Sequence, residues 1–197
     1  MIAPAILVSN FNDFEDQVKQ LEGIFEYAQI DVMDGIFVTN KSFSEIEKIN
    51  GLGSALKFEL HLMTEHPLQE IKKWKGVKNV FRVIFHIEAK DDPTETIKTI
   101  QENGWQTGIC LNPETPLTAI EPYYKLVDTI LFMTVHPGKH GAPYLPEVSE
   151  KIKEYSGWPN RPKCAVDGGI DEKNMEELKS IGVEIFNIGS NRAINFV

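Results

Sequence analysis

Eight short apolar segments alternate with amphipathic segments along almost the whole chain, and this alternation restricts the possible folds more than any other feature. The apolar segments have strand length and lie near residues 2–8, 26–33, 56–63, 79–86, 106–112, 127–135, 162–167 and 184–189. Helical spacing of apolar residues is found at 14–21, 43–49, 67–74, 94–103, 145–155 and 172–181. Strands that alternate with helices predict a parallel sheet with helices packed outside it.

The number of strands favours a closed (β/α)8 barrel, or TIM barrel, over an open doubly wound sheet. An open sheet normally has a glycine-rich turn after its first strand, whereas residues 8–12 contain no glycine. The glycines cluster after the sixth, seventh and eighth strands instead. We therefore expect one (β/α)8 barrel domain over residues 1–197, and the open sheet is the alternative.

The sequence ends at Val197, only a few residues after the eighth predicted strand, so a full eighth helix does not fit. We expect that helix to be short or missing, and a truncated C-terminus is the alternative. Apolar side chains on the outer faces of strands 8 and 1 would then need a short terminal turn or a second subunit to cover them. We therefore predict a homo-oligomer, either a dimer or a larger assembly.

The composition is that of an ordinary soluble globular protein, with 42% hydrophobic and 25% charged residues. The formal net charge of −9 argues against nucleic acid and anionic membrane surfaces as partners. Cys110 and Cys164 each lie in an apolar segment, and we expect them to be buried, reduced thiols. Since neither a signal peptide nor an apolar stretch of about 18 residues is found, a cytoplasmic location is expected.

Two carboxylates and an imidazole stand at the ends of three different predicted strands. They belong to Asp31, His61 and Asp167. In a parallel barrel the strand ends meet at one face, so these three side chains can surround one substrate. A set of carboxylates and imidazole also suits a divalent metal ion. Asp34, which directly precedes Gly35, is expected to cap the turn after the strand instead.

Glycines follow the last two predicted strands. Gly168 and Gly169 come directly after Asp167, and Gly189 and Ser190 end the eighth strand. Glycine lets the backbone approach a ligand, and a helix that follows presents free N–H groups and its positive dipole end to an anion. The loops after strands 7 and 8 are where barrels commonly bind phosphate, so these residues predict a phosphate site.

The segment 133–143, which follows strand 6, contains Gly138, Gly141 and two prolines. We interpret it as a loop that closes over a substrate and excludes water, and an ordinary exposed loop is the alternative. His86 and Glu88 end strand 4 and are expected near the barrel mouth. Their spacing favours a packing or supporting role over a direct catalytic one.

These segments together resemble the ribulose-phosphate 3-epimerase family, from residue 3 to residue 190. The motifs are Asp-Val-Met-Asp-Gly at 31–35, His-Leu-Met at 61–63, Phe-His-Ile-Glu-Ala at 85–89, Met-Thr-Val at 133–135 and Val-Asp-Gly-Gly at 166–169. The resemblance implies a (β/α)8 barrel in which Asp31 and Asp167 are the acid/base pair. It also implies that both aspartates and His61 hold one divalent metal ion, which is Zn, Fe(II), Mn or Mg.

The resemblance further implies a small phosphosugar substrate and the residues around it. The phosphate and the rest of the substrate would contact Gly138, Gly141, Gly168, Gly169, Gly189 and Ser190. The wall around the reacting carbon would consist of Met33, Met63 and Met133, for which simple barrel packing is the alternative.

Four features depart from the family pattern. Gln29 stands where the family has its first metal-binding histidine, and Ala5 stands where it has a serine. The loop reads Gly-Lys-His-Gly-Ala at 138–142 in place of Gly-Phe-Gly-Gly-Gln, and the last helix is short or missing. Alternating side chains place Gln29 on the face of Asp31, where its amide oxygen would be a poorer ligand than imidazole for zinc or iron.

The implied reaction is epimerisation of D-ribulose 5-phosphate at C3 to D-xylulose 5-phosphate. One carboxyl group removes a proton and the other delivers one to the opposite face, through an enediolate that the metal stabilises. One alternative is an epimerase for a six-carbon ketose phosphate such as allulose 6-phosphate. The other is a catalytically weakened or inactive phosphosugar-binding homologue, which Gln29 and Ala5 favour and the retained Asp31, His61 and Asp167 disfavour.

Overall fold

The computed structural model describes residues 1–138 and 141–197. Eight parallel strands form one closed barrel in sequence order, which confirms the (β/α)8 barrel and excludes the open doubly wound sheet. The strands are β1 (Ile2–Ile6), β2 (Tyr27–Met33), β3 (Lys57–Met63), β4 (Val80–His86), β5 (Gln106–Leu111), β6 (Thr129–Met133), β7 (Lys163–Asp167) and β8 (Ile185–Gly189).

Most of the predicted helices are confirmed. The α-helices of the described residues are α1 (Phe11–Leu21), α2 (Pro67–Trp74), α3 (Pro93–Glu102), α4 (Val148–Ser156), α5 (Glu172–Ser180) and the four-residue α6 (Ser190–Ala193). The α-helix predicted at 43–49 is wrong, because a 3-10 helix spans Ile46–Leu52 instead. Gly51 and Gly53 lie at the end of that segment, and glycine disfavours the further turns that an α-helix needs.

The strands bury both of their faces. In β3, Phe58, Leu60 and Leu62 pack against the outer helices within the main hydrophobic cluster. Glu59 and His61 alternate with them and therefore point into the barrel. Since a shift by one residue would exchange the two faces, the apolar set of each strand fixes which polar side chains reach the interior.

The C-terminal segment covers part of the barrel wall. After α6 a 3-10 turn spans Ile194–Phe196, and the eighth helix is thus short, as predicted. Ala193 is fully buried, and Ile194 and Phe196 pack against the main cluster together with Ile2 of β1. A short terminal turn therefore covers part of the apolar surface outside β8 and β1, which is one of the two possibilities expected from the sequence. Coverage by a second subunit, and with it the homo-oligomer, stays a prediction.

Two further expectations concern the cysteines and membrane spans. Cys110 and Cys164 are both buried and unpaired, as expected. Within residues 1–138 and 141–197, none of the helices has both the length and the apolar character needed to cross a membrane.

A substitution of Gly108 in β5 can test how closely the barrel interior is packed. A Cβ atom on Gly108 would lie 2.7 Å from Cγ1 of Ile84, which is a stiff side chain of the neighbouring strand. We expect Gly108→Ala to lower the free energy of unfolding by about 1–3 kcal/mol through overpacking, measured by urea denaturation. Gly76→Ala is the control, because a Cβ there meets no atom within 4 Å. Equal stability of the two variants would contradict this packing argument.

Candidate active site

The structure brings Asp31, His61 and Asp167 together at the carboxyl ends of β2, β3 and β7. Asp31 and His61 are partners in the parallel register of β2 and β3. Nδ1 of His61 lies 3.1 Å from Oδ1 of Asp31 and 3.4 Å from Oδ2 of Asp167. One ligand atom from each of the three residues lies within 4.8 Å of the other two. The barrel therefore assembles the carboxylate and imidazole set from positions far apart in sequence.

Gln29 contacts both carboxylates through its amide nitrogen. Nε2 of Gln29 donates hydrogen bonds to Oδ1 of Asp31 at 2.9 Å and to Oδ2 of Asp167 at 2.6 Å. Its amide oxygen accepts a 2.5 Å hydrogen bond from Nδ2 of Asn187. In this arrangement Gln29 presents donors and not its oxygen to the site, because Asn187 already holds that oxygen and the carboxylates accept hydrogen bonds.

Asn187 was not singled out from the sequence, although it lies on β8 two residues before Gly189. It is buried among polar groups, and its amide nitrogen also lies 3.5 Å from Oε1 of Glu59. A polar residue in an otherwise apolar strand close to the predicted phosphate glycines is the signal that could have identified it. Through Gln29 it sets the direction of the two donors that face the carboxylates.

Burial and neighbouring groups have competing effects on the pKa values of Asp31 and His61. Burial raises the pKa of Asp31, and the charge of Asp167 adds to this, although hydrogen bonds from His61 and Gln29 partly oppose it. Burial alone would lower the pKa of His61, but Cys110, Asp167 and Asp31 raise it well above its ordinary value. The site thus holds protons at neutral pH more readily than isolated side chains would.

His86 and Glu88 support the far side of the His61 ring. Nε2 of His86 lies 3.0 Å from Nε2 of His61, and the two rings are stacked with centroids 5.1 Å apart. Nδ1 of His86 lies 3.3 Å from Oε2 of Glu88. The other Glu88 oxygen accepts from the backbone N–H of Asn112 and from the Thr115 hydroxyl. This agrees with a supporting role for His86 and Glu88.

A cavity of about 560 Å³ opens above the three site residues, which is a volume typical of small-molecule sites. All six residues predicted to contact phosphate or substrate border it: Gly138, Gly141, Gly168, Gly169, Gly189 and Ser190. Met63 and Met133 border it as well, whereas Met33 lines a smaller neighbouring cavity with Leu7 and Asn40. Met33 packs with Met63 and Val38, so its packing role is the one the structure supports.

The turn after β7 requires its two glycines. Gly168 and Gly169 have φ values of 110° and 64°, in the left-handed region that favours glycine. A Cβ atom on Gly168 would lie 2.3 Å from the Val135 side chain, and one on Gly169 would lie 2.9 Å from the Tyr144 backbone. The loops after β6 and β7 therefore pack against each other at the cavity wall only because neither glycine carries a side chain.

The groups available to bind phosphate differ from the predicted ones at two residues, Asp171 and Arg192. The Asp171 carboxylate caps α5 by accepting from the backbone N–H of Asn174, so this helix already has an anion of its own at its N-terminus. Arg192, which the sequence did not single out, borders the cavity and is the only Arg or Lys among the described residues that do so. Its position three residues after Gly189 is the signal that sequence reasoning missed.

The loop after β6 covers one side of the cavity. The Gly138 carbonyl accepts a 2.5 Å hydrogen bond from the Asn40 side chain, which ties this loop to the loop after β2. Pro137, Ala142 and Tyr144 border the cavity with Gly138 and Gly141. Lys139 and His140, which complete the loop pattern, lie outside the described residues. Closure of this loop over a substrate stays a prediction.

Asp34 caps the turn after β2, as the sequence indicated. Its Oδ1 accepts from the N–H groups of Ile36 and Phe37 at 2.8 Å, and its Oδ2 accepts from that of Glu65 at 2.7 Å. Burial alone would raise the pKa of Asp34, but these three hydrogen bonds outweigh it and lower the pKa. The ionised carboxylate therefore joins the ends of β2 and β3 next to the site.

The lowered pKa of Asp34 gives a pH-dependent contribution to stability. A carboxyl group with a depressed folded-state pKa stabilises the fold above its unfolded value, near 3.8, and loses this contribution as pH falls through the folded value. We expect Asp34→Asn to lower the free energy of unfolding by about 1–3 kcal/mol at pH 7, and by less near pH 3. Urea denaturation at both pH values measures this. Asp16→Asn, on the exposed face of α1, is the control, and a deficit that does not shrink at low pH would contradict the assignment.

Comparisons with known proteins agree with these features. The model of the ribulose-phosphate 3 epimerase family matches residues 1–192. The ribulose-phosphate 3-epimerase of Escherichia coli (strain K12) is 31% identical over 199 residues, which cover 96% of this chain and 87% of that protein. The ribulose-phosphate 3-epimerase of Mycobacterium tuberculosis (strain ATCC 25618 / H37Rv) is 31% identical over 202 residues, with 96% and 84% covered.

Similar solved structures support the fold. A mutant tryptophan synthase α-subunit from Pyrococcus furiosus superposes with a TM-score of 0.74 at 11% identity. The tryptophan synthase complex of the same organism superposes with a TM-score of 0.68 at 12% identity, and both matches cover 98% of this chain and 88% of the other. At such identities the likeness concerns the barrel alone. The match along the whole chain and the 31% identical relatives show that the chain belongs to the ribulose-phosphate 3-epimerase family of isomerases.

Proposed function

We propose that this protein interconverts D-ribulose 5-phosphate and D-xylulose 5-phosphate by proton transfer at C3. The observation that carries the proposal is the pair Asp31 and Asp167, which border one cavity and share Gln29 and His61 as hydrogen-bonding neighbours. Inversion at a carbon next to a carbonyl needs a base on one face and an acid on the other. Two carboxyl groups in unequal environments can supply both.

In the proposed reaction an ionised carboxylate takes the proton from C3, and the electrons of that C–H bond form an enediolate with the neighbouring carbonyl. The other carboxyl group, protonated at the start, then delivers its proton to the opposite face of C3. Burial favours the protonated form of Asp31, which suits the group that holds a proton before the reaction. The two aspartates end with their protonation states exchanged, so the reverse reaction uses the same pair.

Asp31, His61 and Asp167 fit a divalent metal ion, because oxygen and nitrogen donors of this kind suit zinc, iron(II) and manganese and their ligand atoms lie within 4.8 Å. When bound, such an ion would stabilise the negative charge on the enediolate oxygens. Magnesium remains the fourth option for its identity. The methionines Met63 and Met133 would exclude water from the reacting carbon.

The substrate phosphate is proposed to bind between the loops that follow β7 and β8. Backbone groups of Gly168, Gly169 and Gly189 border this end of the cavity, and the Arg192 side chain supplies a positive charge. Ser190 is proposed to contribute its hydroxyl, which in this structure lies 2.5 Å from Oε1 of Gln17. The whole chain has a formal net charge of −9, which repels anions. An anionic substrate therefore needs a local positive charge, and Arg192 supplies one. A cytoplasmic location and a homo-oligomer remain predictions from the sequence.

The experiment that tests the function follows turnover of D-ribulose 5-phosphate and exchange of its C3 proton into D₂O by NMR. The protein is stripped with a chelator and then supplied with zinc, manganese, iron(II) or magnesium. We expect Asp31→Asn and Asp167→Asn each to lower turnover by at least about 100-fold, since each removes one proton carrier. Asp16→Asn is the control.

Three outcomes separate the proposal from its alternatives. Near-normal turnover in Asp167→Asn would overturn the acid/base assignment. Exchange with allulose 6-phosphate but not with D-ribulose 5-phosphate would favour a six-carbon substrate. Binding of the phosphosugar without any C3 exchange under all four metals would favour a binding protein, an alternative that the amide nitrogen of Gln29 between the carboxylates supports.

Gln29→His tests whether position 29 limits metal binding. An imidazole at this position would add a nitrogen ligand beside Asp31 and Asp167 in place of an amide N–H. We expect the Kd for Mn²⁺ to fall about tenfold, measured by electron paramagnetic resonance of free Mn²⁺ during titration. Gln69→His, on the exposed face of α2, is the control. Unchanged Mn²⁺ affinity would show that the site does not lack a ligand at position 29.

A further inference from the structure

A second cluster of metal-binding side chains lies on the other side of His61. It consists of His61, His86 and Cys110, on the neighbouring strands β3, β4 and β5, and all three are fully buried. His86 and Cys110 are partners in the parallel register of β4 and β5, which places both inside the barrel. One nitrogen of each ring and the Cys110 sulfur all lie within 4.8 Å of one another. Two imidazoles and a thiol thus lie close together in the buried interior of the barrel.

Hydrogen bonding fixes which nitrogen of each ring faces this cluster. Nδ1 of His61 lies beside the carboxylates of Asp31 and Asp167, and Nδ1 of His86 lies beside that of Glu88. Each ring therefore has a carboxylate beside its Nδ1 and turns its Nε2 toward the other ring. The two Nε2 atoms are 3.0 Å apart in a buried environment.

Two ring nitrogens and a thiol that converge in the interior form a ligand set for a metal ion, to which Cys110 would contribute a negative charge as thiolate. Imidazoles that donate their other N–H to a carboxylate are the usual arrangement of histidine metal ligands, because the carboxylate holds the ring and its tautomer. Here both rings have such a carboxylate.

The distances also fit a tetrahedral ion of this class. Zinc–nitrogen bonds of about 2.0–2.1 Å place two nitrogen ligands roughly 3.3 Å apart in tetrahedral geometry. The observed separation of 3.0 Å is within about 0.3 Å of that value, so a small rotation of the rings suffices. His61 also borders the candidate active-site cavity.

We propose that His61, His86 and Cys110 form a second metal site, which binds a thiophilic divalent cation of the zinc type through Nε2, Nε2 and Sγ. Sulfur and imidazole ligands select zinc over magnesium and manganese, which prefer oxygen. The site shares His61 with the one formed by Asp31 and Asp167. A neutral imidazole has a single lone pair, so His61 can serve as a ligand in only one of the two sites at a time.

The test uses Co²⁺ as a spectroscopic substitute for Zn²⁺, added to the chelator-treated full-length protein under anaerobic conditions. We expect a thiolate-to-cobalt charge-transfer band in the near ultraviolet that saturates at one ion per chain and that Zn²⁺ removes. Cys110→Ala should abolish the band. Cys164→Ala should keep it, because Cys164 is an equally buried strand cysteine outside the ligand clusters of the described residues. Cobalt uptake without this band, or a band that survives in Cys110→Ala, would overturn the proposal.

Zinc X-ray absorption of the unaltered protein gives an answer even if Cys110→Ala fails to fold. One sulfur among the ligands is expected at one zinc per chain, and a spectrum with nitrogen and oxygen alone would overturn the second site. A hydrogen bond between the two Nε2 atoms would account for their approach without a metal, and absence of cobalt or zinc uptake at the thiol would favour that state and contradict the proposal. Neither readout requires epimerase activity, so failure of this inference is distinguishable from failure of the proposed function.

Discussion

The hydrogen bonds of one buried imidazole, that of His61, organise both polar clusters of this barrel. Its Nδ1 faces Asp31 and Asp167, and its Nε2 faces His86. The ring has no exposed surface, so each of its nitrogens must find its partner inside the protein. Parallel register fixes these contacts, because Asp31 is the direct partner of His61 across β2 and β3. The chemistry at the top of the barrel is therefore set by strand pairing rather than by loop conformation.

Polar side chains below the site fix the direction of Gln29. Glu59 and Arg82 form a buried ion pair at 2.6 Å, and Asn187 lies between Glu59 and the amide oxygen of Gln29. Burial raises the pKa of Glu59, and Arg82 opposes this shift. Because Asn187 holds the oxygen, the amide nitrogen of Gln29 points at the carboxylates of Asp31 and Asp167. Donors at that position favour the ionised forms of the aspartates and reduce the lone pairs that remain for a metal ion.

The strands and turns could be predicted from the sequence, whereas the contacts between side chains inside the barrel could not, because only the former depend on local sequence. Strand period and glycine positions are local signals, so the eight strands, the turn after β7 and the grouping of Asp31, His61 and Asp167 followed from them. The 3-10 helix at Ile46–Leu52 was missed because apolar spacing alone does not distinguish it from a short α-helix. Asn187 and Arg192 were missed because their importance depends on which side chains lie opposite them across the barrel. Cys110 was correctly predicted as a buried thiol, yet the two imidazoles beside it depend on strand register.

The two clusters place opposite demands on His61. While no cation is bound, the carboxylates of Asp31 and Asp167 favour a proton on Nδ1, and the raised pKa of His61 favours a second proton on Nε2, which faces His86. A metal ion held by Asp31, His61 and Asp167 would take the Nδ1 lone pair and leave the Nε2 proton for His86 to accept, whereas a metal ion in the second cluster would take Nε2 and leave Nδ1 protonated. The tautomer of His61 therefore links the two clusters, and a cation in one changes the hydrogen bonding in the other. Since a single neutral ring cannot supply both lone pairs, occupancy of one cluster opposes occupancy of the other.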